Sequence, residues 1–139
     1  MEQKQIITLI EKAAAAREFS YSPYSNYMVG AAVLTDDGEI YTGCNIENAA
    51  YGPTYCGERT AIFKAVSEGK RNFTAIAIVG GKRGSVGDYA APCGVCRQVM
   101  MEFCNPDEMQ IIVAKNTEEY KLFTLKELLP EGFGAANLE

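Results

Sequence analysis

The sequence predicts a mixed α/β fold, in which one sheet carries helices on its faces. Three observations support this prediction. The chain opens with a helical repeat of apolar residues, an antiparallel hairpin signal follows, and short apolar runs then alternate with helical segments. At 139 residues, of which 47% are hydrophobic, the chain is long enough for one well-buried core. We therefore expect a single domain over residues 1–139, large enough to carry a catalytic site.

A helix is predicted over residues 3–19, because apolar side chains recur there at helical spacing between charged ones. The apolar positions of this repeat are Ile6, Ile7, Leu9, Ile10, Ala13, Ala14 and Phe19. A turn-rich loop over residues 20–27 leads into a predicted strand at residues 27–34. An Asp-Asp-Gly turn then predicts an antiparallel return strand at residues 39–44.

Helices and buried strands alternate through the rest of the chain. The predicted helices are 57–68, 94–103 and 124–129, and the predicted strands are 73–79, 109–114 and 120–123. Pro92 lies just ahead of the second of these helices, and Thr124 caps the third. A glycine-rich, irregular connector is expected at residues 80–91, and an irregular tail at residues 132–139. Residues 115–118 are too few for a parallel crossover, so the last two strands should be antiparallel.

The composition disfavours several classes of partner. A net charge of −5 argues against a nucleic-acid ligand, because phosphate recognition needs a basic face. No apolar run is long enough to span a bilayer. The first apolar stretch is broken by Glu11 and Lys12, which does not fit a secretory signal. We therefore expect a cytoplasmic protein without a membrane partner.

Five cysteines and no histidine restrict the possible chemistry. Without histidine, Ser-His and Cys-His catalysis are excluded, and any metal must be held by sulfur or carboxylate. Cys93 and Cys96 form a C-x-x-C pair, and Cys56 is a third possible ligand. A structural zinc usually has four protein ligands, whereas a catalytic zinc has three and keeps a position for water. Glu58 is placed to handle the protons of that water, and Cys44 is an alternative fourth ligand.

The charge of such a site needs compensation, because three thiolates outweigh the two positive charges of zinc. Both cysteine motifs fall where a loop meets a predicted helix N-terminus, and the positive end of a helix favours thiolate. Arg59 is the candidate for the remaining compensation, since guanidinium donates several hydrogen bonds, and Gln98 is the candidate for orienting Arg59. Burial beside this centre should raise the pKa of the Glu58 carboxyl toward the range useful for a general base.

The residues around the cysteines carry a family resemblance over nearly the whole chain. Cys56-x-Glu58 with Pro92-Cys93-x-x-Cys96 resembles the zinc deaminase signature, in which the glutamate is a general acid and base. Further segments resemble the small homotetrameric cytidine deaminases. These segments are Val29-Gly30-Ala31-Ala32, the stretch from Gly43 to Tyr51, Glu58-Arg59-Thr60-Ala61, and Leu128-Leu129-Pro130 followed by Phe133.

The resemblance implies a three-layer α/β/α cytidine deaminase-like fold. Its mixed five-stranded sheet has an N-terminal antiparallel hairpin and antiparallel last two strands. The implied reaction is the hydrolytic, Zn²⁺-dependent deamination of cytidine and 2′-deoxycytidine to uridine and 2′-deoxyuridine, in pyrimidine salvage. The implied assembly is a homotetramer whose sites are completed by neighbouring subunits.

The resemblance also assigns roles to individual residues. Zinc would be held by Cys56, Cys93 and Cys96, and Glu58 would be the proton shuttle while zinc-bound hydroxide attacks C4 of cytosine. The resemblance also links a set of positions to the substrate. Asn45 and Glu47 would hydrogen-bond the ribose 3′-hydroxyl. The other substrate-binding positions of the set are Ile46, Tyr27, Gly57, Tyr51 and Phe133.

Four of these positions carry specific expectations. Tyr27 stands where the family usually has Phe and would pack near the base. Gly57 stands where the family usually has Ala, and its backbone N–H would contact the base carbonyl. Tyr51 would help to complete an adjacent site, and Phe133 would reach into the site of a neighbouring subunit.

Two other functions stay open from the sequence. The same motifs would serve a deaminase of a related cytosine-containing compound, such as an antibiotic. A C-x-x-C pair by itself is more often structural or redox-active, so a non-catalytic zinc or thiol-redox module is the second alternative. The acidic composition and the short connection between the last two strands favour the free-nucleoside branch over the nucleic-acid deaminases.

Overall fold

The computed structural model describes residues 1–85 and 87–139. The helices are α1 (Gln3–Arg17), α2 (Gly57–Ser67), α3 (Gly94–Glu102) and α4 (Leu125–Leu128), with a 3₁₀ turn at Ala135–Leu138. The strands are β1 (Tyr27–Thr35), β2 (Ile40–Cys44), β3 (Phe73–Lys82), β4 (Gln110–Ala114) and β5 (Tyr120–Thr124). Within the described ranges, no helix combines the length and apolarity that crossing a membrane requires.

The five strands form one mixed sheet in the order β2-β1-β3-β4-β5. β1 pairs antiparallel with both β2 and β3, β3 pairs parallel with β4, and β4 pairs antiparallel with β5. Gly30 of β1 lies opposite Cys44, and Tyr27 lies opposite Lys82. The start of β1 and the ends of β2 and β3 therefore meet at one edge of the sheet. Both the N-terminal hairpin and the antiparallel last pair confirm the sequence prediction.

Alternate residues of the strands feed two separate apolar layers, as the period of a strand requires. One layer joins the sheet to α2 and α3, and its largest members include Ile62, Ile76, Met100 and Ile111. The other joins the sheet to α1 through Leu9, Ile10 and a set of small strand residues, namely Ala32, Ala75, Ala77 and Ala114. Each fully buried Leu or Ile contributes about 1.5–3 kcal/mol of hydrophobic stabilisation. Helices on both faces of the sheet confirm the α/β/α prediction.

Two glycines allow helices to approach the sheet closely. A methyl group on Gly30 would lie 2.0 Å from the Ala13 carbonyl oxygen and 2.4 Å from the Arg17 nitrogen. A methyl group on Gly43 would lie 2.5 Å from the Ala61 nitrogen. In both cases the obstacle is helix backbone, which cannot step aside as a side chain can. Gly30 therefore sets the distance of α1 from the sheet, and Gly43 sets that of α2.

The structure differs from the sequence prediction in three places. α1 ends at Arg17, so Phe19 lies beyond it and is 82% exposed, although the apolar repeat placed it on the buried face. β3 continues through Lys82 into the expected connector, because Gly80 and Gly81 pair with β1. The tail includes a short 3₁₀ turn. Of the predicted connector 80–91, residue 86 lies outside the described residues.

The predicted cap of α4 is confirmed. The Thr124 hydroxyl accepts a hydrogen bond from the Glu127 nitrogen, and the Glu127 carboxylate accepts one from the Thr124 nitrogen. This reciprocal pair is a capping box, which satisfies backbone donors at a helix start.

We expect the substitution Gly30→Ala to destabilise the fold by at least about 2 kcal/mol, because the new methyl group overpacks against α1 backbone. The midpoint of thermal unfolding, followed by circular dichroism, should fall by roughly 5–10 °C. Gly52→Ala is the matched control, since no atom lies within 4 Å of its added methyl group. Equal midpoints for the two variants would contradict the close-approach interpretation.

Candidate zinc site and substrate cleft

Three sulfur atoms cluster at the edge of the sheet where β1 begins. The Sγ of Cys93 lies 3.6 Å from that of Cys56 and 3.4 Å from that of Cys96. All three atoms lie within 4.8 Å of one another, and in the described ranges no other Cys, Asp or Glu joins the group. The three cysteines that the sequence singled out are therefore brought together.

The helices place these sulfurs. Cys56 is the residue immediately before α2, and Cys93 is the residue immediately before α3, both with extended backbone. Cys96 lies in the first turn of α3 and is fully buried. Two helix N-termini therefore point at the cluster, and their unpaired N–H groups and dipoles favour negative charge there. The expectation that both motifs lie at helix starts is confirmed.

The cluster fits a tetrahedral zinc ion. Zinc binds thiolate at about 2.3 Å, so sulfurs at three corners of a tetrahedron lie about 3.8 Å apart. The measured separations of 3.6 Å and 3.4 Å need only small adjustments to reach that value. Thiolate is also a soft donor that suits zinc. Cys56, Cys93 and Cys96 would hold the ion.

The thiol of Cys56 is made acidic by its neighbours. The neighbouring Cys96 and the Arg59 guanidinium, whose Nη2 donates to the Cys56 sulfur at 3.6 Å, lower the pKa of Cys56 to about 5. The Arg59 guanidinium also stacks over the Tyr55 ring at 4.7 Å, which fixes its position. In the described part of the chain, its Nε is buried without a hydrogen-bond partner.

The expected contact between Gln98 and Arg59 is not found. The Gln98 Nε2 donates instead to the Phe133 carbonyl oxygen at 2.8 Å, which ties the C-terminal tail to α3. Tyr55 takes the place of Gln98 beside the guanidinium. Sequence reasoning missed Tyr55 because an aromatic residue next to a ligand has many ordinary explanations.

Glu58 is buried beside the sulfur cluster, with 3% of its surface exposed. It lies in the first turn of α2, and its side chain lines the same cleft as Cys56 and Cys93. Burial raises the pKa of the Glu58 carboxyl to about 7, and the charge of Cys56 adds to this effect. A carboxyl group that gains and loses a proton near neutral pH suits general acid and base work.

A cleft of about 420 Å³ opens above these groups. Its lining residues are Tyr27, Val29, Asn45, Glu47, Thr54, Tyr55, Cys56, Glu58, Tyr89, Ala90, Ala91 and Cys93. The volume lies within the range of small-molecule sites, and apolar walls with a few polar groups are typical of them. Of the predicted substrate residues, the structure places Tyr27, Asn45 and Glu47 in the cleft.

Asn45 is 8% exposed and is hydrogen-bonded to the main chain of β1. Its Nδ2 donates to the Tyr27 carbonyl oxygen at 2.8 Å, and its Oδ1 accepts from the Val29 nitrogen at 3.0 Å. The Ser20 hydroxyl also donates to Oδ1. One N–H of the amide stays available to a ligand, because the amide nitrogen has two.

Glu47 holds the loop that precedes β1. Its Oε1 accepts hydrogen bonds from the Tyr24 nitrogen at 2.9 Å and the Ser25 nitrogen at 3.1 Å. The Ser25 hydroxyl donates to Oε2. The carboxylate is thereby oriented at the cleft wall with acceptor capacity left for a hydroxyl group.

Ile46 and Gly57 support the cleft without a side chain inside it. Ile46 exchanges two backbone hydrogen bonds with Tyr55, of 2.9 Å and 3.0 Å, which join the Asn45–Glu47 segment to the residue before the candidate ligand Cys56. Gly57 is buried, and a methyl group there would lie 3.1 Å from the Val29 carbonyl oxygen. The alanine usual in the family would thus be tight here.

Tyr51 and Phe133 lie outside the cleft of their own chain. Tyr51 is 91% exposed and Phe133 is 58% exposed. Neither side chain lines the cleft. Their assigned roles in a neighbouring site stay predictions.

Several lining residues were not predicted. Ala91 and Tyr55 are close neighbours of predicted ligands in the sequence, which was a usable signal. Tyr89 carried no such signal, because its place depends on Lys115 and Lys121, whose ammonium groups lie 4.8 Å and 4.3 Å from its ring centre. These lysines belong to segments far along the chain, so only the fold reveals the arrangement.

The two remaining cysteines stand apart from the cluster. Cys44 ends β2 and is half-buried. It is not part of the sulfur cluster, so it is not the fourth ligand that the sequence left open. Cys104 is also half-buried, and burial raises the pKa of its thiol to about 11. Neither residue belongs to the three-sulfur cluster.

We expect Cys93→Ala to lower the zinc affinity by more than about 100-fold, because it removes one of three ligands. Zinc per chain, measured by atomic absorption after dialysis, should fall from one toward zero. Cys104→Ala is the control and should retain its zinc, since Cys104 lies outside the cluster. Full zinc content in Cys93→Ala would contradict the assignment.

Known proteins resemble this chain over most of its length. Residues 3–113 match the family model described as the cytidine and deoxycytidylate deaminase zinc-binding region. The chain is 48% identical to a cytidine deaminase of Sporosarcina psychrophila over 130 residues, which cover 94% of this chain and 92% of the relative. It is 47% identical to a cytidine deaminase of Halalkalibacterium halodurans, over 94% of this chain and 95% of the relative.

Solved structures agree with these relatives. The crystal structure of a cytidine deaminase from Burkholderia pseudomallei has a TM-score of 0.79 and 46% sequence identity, and the match covers 91% of this chain and 97% of that one. A cytidine deaminase from Mycobacterium tuberculosis has a TM-score of 0.77 and 39% identity, over 91% of this chain and 95% of that one. The sulfur cluster, the buried glutamate and these matches agree, and the chain belongs to the zinc-binding cytidine and deoxycytidylate deaminase family.

Proposed function

We propose that this protein is a zinc-dependent cytidine deaminase, which hydrolyses cytidine and 2′-deoxycytidine to uridine and 2′-deoxyuridine. The observation that carries the proposal is a buried Glu58 beside a three-sulfur cluster at the base of a small-molecule cleft. The cytidine deaminases at 47–48% identity support the choice of substrate. Zn²⁺, when bound to the three sulfurs, lowers the pKa of a water molecule so that hydroxide is available at neutral pH.

Glu58 performs the proton transfers of the reaction. Hydrolysis replaces the amino group at C4 by oxygen from water and releases ammonia. The carboxylate takes one proton from the attacking water and gives it to ring nitrogen N3. It then takes the second proton, from the hydroxyl group now on C4, and gives it to the departing amino group, which leaves as ammonia. Its burial excludes bulk water and keeps its pKa near neutrality, so both directions of transfer are accessible.

The charge of the surroundings favours a neutral nucleoside over a polyanion. The chain carries a net charge of −5, and Glu47 lies in the cleft wall. A phosphate chain would be repelled there, whereas sugar hydroxyls can donate to the Glu47 carboxylate. Asn45 supplies a donor beside it, so the two residues are the proposed ribose contacts, with Tyr27 packing against the base.

Gly57 is the proposed contact for the base carbonyl, through its backbone N–H. The residue opens α2 and is buried, and a methyl group added there would lie 3.1 Å from the Val29 carbonyl oxygen. Arg59 is proposed to support the zinc ligands by donating to the Cys56 sulfur, at the distance already given.

A deaminase of another cytosine-containing compound has the same motifs and is the second candidate. A panel of cytidine, 2′-deoxycytidine, cytosine and cytosine-containing antibiotics separates the two. Negligible turnover of cytidine with turnover of another member would transfer the proposal to that compound. A non-catalytic zinc or redox module would turn over none of them.

We propose further that residues 1–139 act as one catalytic domain in a homotetramer, in cytoplasmic pyrimidine salvage. Both apolar layers share one sheet, which supports a single domain. A reducing compartment keeps the cysteine thiols available for metal. Exposed Tyr51 and Phe133 support an assembly in which another copy covers them, because large apolar side chains otherwise lose stabilisation in water.

We expect Glu58→Gln to lower kcat for cytidine by about 10³-fold, because the amide keeps the size of the carboxyl group but cannot transfer protons. Loss of cytidine absorbance and release of ammonia measure the rate. The variant should keep one zinc per chain, since the three sulfurs are unchanged.

Glu68→Gln, an exposed carboxylate at the other end of α2, is the matched control and should keep wild-type activity. A chelator should abolish the wild-type rate, and added Zn²⁺ should restore it. A zinc-loaded Glu58→Gln protein with wild-type kcat would refute the proton-transfer role.

The proposed homotetramer predicts a solution mass of four times the 15.2 kDa chain, by light scattering at micromolar concentration. Phe133→Ala should lower kcat/KM for cytidine by about tenfold with zinc content unchanged, because a neighbouring site loses an apolar wall. Leu138→Ala, which alters another exposed residue of the tail, is the control. A fully active monomer would contradict both the assembly and the role of Phe133.

A further inference from the structure

Arg17 is a buried cation at the end of α1, with 7% of its surface exposed. Its guanidinium binds two strands and the loop after them. Nε donates to the Met28 carbonyl oxygen at 3.0 Å. Nη2 donates to the carbonyl oxygens of Gly81 and Lys82, at 2.9 Å and 3.1 Å, and to the Ser85 hydroxyl at 3.2 Å. Nη1 donates to the Ser85 carbonyl oxygen at 3.2 Å.

All acceptors of this guanidinium are neutral. The ion pairs of the described residues do not include Arg17. A buried charge loses its hydration, and only well-placed hydrogen bonds compensate the loss. An apolar side chain would fill the same contact between helix and sheet without that penalty. We therefore look for the role of the guanidinium in the main-chain segments to which it donates hydrogen bonds.

The first segment that Arg17 holds is a wall of the substrate cleft. Tyr27 and Val29 line the cleft, and Met28 lies between them. The Met28 carbonyl is bound by Arg17 on the β3 side of β1. On the β2 side, Asn45 binds the Tyr27 oxygen at 2.8 Å and the Val29 nitrogen at 3.0 Å. The start of β1 is therefore held from both edges.

The second segment that the guanidinium holds supports the facing wall. Gly81 follows Gly80, which is surrounded by the side chains of three cleft residues. A methyl group on Gly80 would lie 2.7 Å from Cβ of Ala90, 3.1 Å from Cγ2 of Val29 and 3.4 Å from Cε1 of Tyr27. All three of these residues line the cleft. A shift of β3 at this point would change the width of the cleft.

We propose that Arg17 is a positioning residue of the deaminase, which sets the width of the base-binding end of the cleft by fixing the start of β1 against the end of β3. It touches neither the sulfur cluster nor Glu58, and acts through Tyr27, Val29 and Ala90. The inference rests on the proposed function, because the cleft it shapes is the one assigned to cytidine.

The geometry requires arginine and not merely a positive charge. A guanidinium presents five donors in a planar fork, whereas a lysine ammonium offers a single point with three donors. Arg17 joins Met28 on one strand to Gly81 on the next and Ser85 beyond it. A lysine reaches one part of this set. A role limited to the helix dipole would be served equally well by lysine, since the dipole responds to charge alone.

The test replaces Arg17 by lysine in the full chain. Arg71→Lys is the matched control, because Arg71 also donates to main-chain carbonyls near a helix end, those of Val66 and Lys70 at 2.8 Å and 2.9 Å, but lies outside the cleft. Each protein is loaded with zinc, and its metal content, thermal unfolding midpoint, kcat and KM for cytidine are measured. The dissociation constant of cytidine is measured by calorimetry in a Glu58→Gln background, where turnover does not interfere.

We expect Arg17→Lys to raise KM and the dissociation constant of cytidine on the order of tenfold, with one zinc per chain and kcat within about threefold of wild type. Arg71→Lys should keep the wild-type values. A folded, zinc-loaded Arg17→Lys protein with unchanged KM and dissociation constant overturns the proposal even if its unfolding midpoint is lower, because the residue would then only stabilise the fold.

Ser85→Ala keeps the proposal testable if Arg17→Lys does not fold. It removes only the hydroxyl acceptor of the guanidinium, and we expect a KM about two- to threefold higher. An unchanged KM in Ser85→Ala then overturns the proposal. Wild-type protein that neither binds nor turns over cytidine would refute the proposed function itself, which separates that failure from a wrong role for Arg17.

Discussion

Repulsion among three thiolates and one carboxylate is the constraint on which the rest of the site depends. Cys56, Cys93 and Cys96 lie within 4.8 Å of one another, with Glu58 buried beside them. Zinc balances only two of these charges, so the protein must supply positive potential. It does so with the N-termini of α2 and α3 and with the Arg59 guanidinium. The fold is arranged so that these three sources meet at one point.

That meeting point requires two helices on the same face of the sheet with their starts at the same edge. β2 ends at this edge just before the segment leading to α2, and β3 ends there before the segment leading to α3. Gly43 allows the backbone of α2 to approach the sheet closely at Thr60 and Ala61, within a turn of Cys56 and Glu58 at the start of the same helix. Ligand position therefore depends on ordinary helix–sheet packing.

Most of the fold and the chemical centre could be predicted from the sequence, because they rest on local signals. Apolar periodicity marked the elements, and the spacing of Cys56, Glu58, Cys93 and Cys96 marked the zinc site. Contacts between distant segments could not be predicted. Gln98 donates to the carbonyl of Phe133 in the tail and does not contact Arg59. Tyr89 contacts two lysines of later segments through its ring. No local pattern specifies such pairings.

The polar side chains of the cleft mostly bind the protein's own main chain. Asn45 uses three of its hydrogen-bonding positions on Tyr27, Val29 and Ser20, and Glu47 holds the loop before β1. The hydrogen-bonding positions that remain free on these side chains are the ones available to a ligand. The bonds to the main chain fix the direction of these positions before a ligand binds. Side chains that are already ordered lose little conformational entropy on binding. Under the proposed function, selectivity would follow from walls that are ordered in advance, so buried groups behind the walls, such as Arg17, would bear on substrate binding together with the groups that touch substrate.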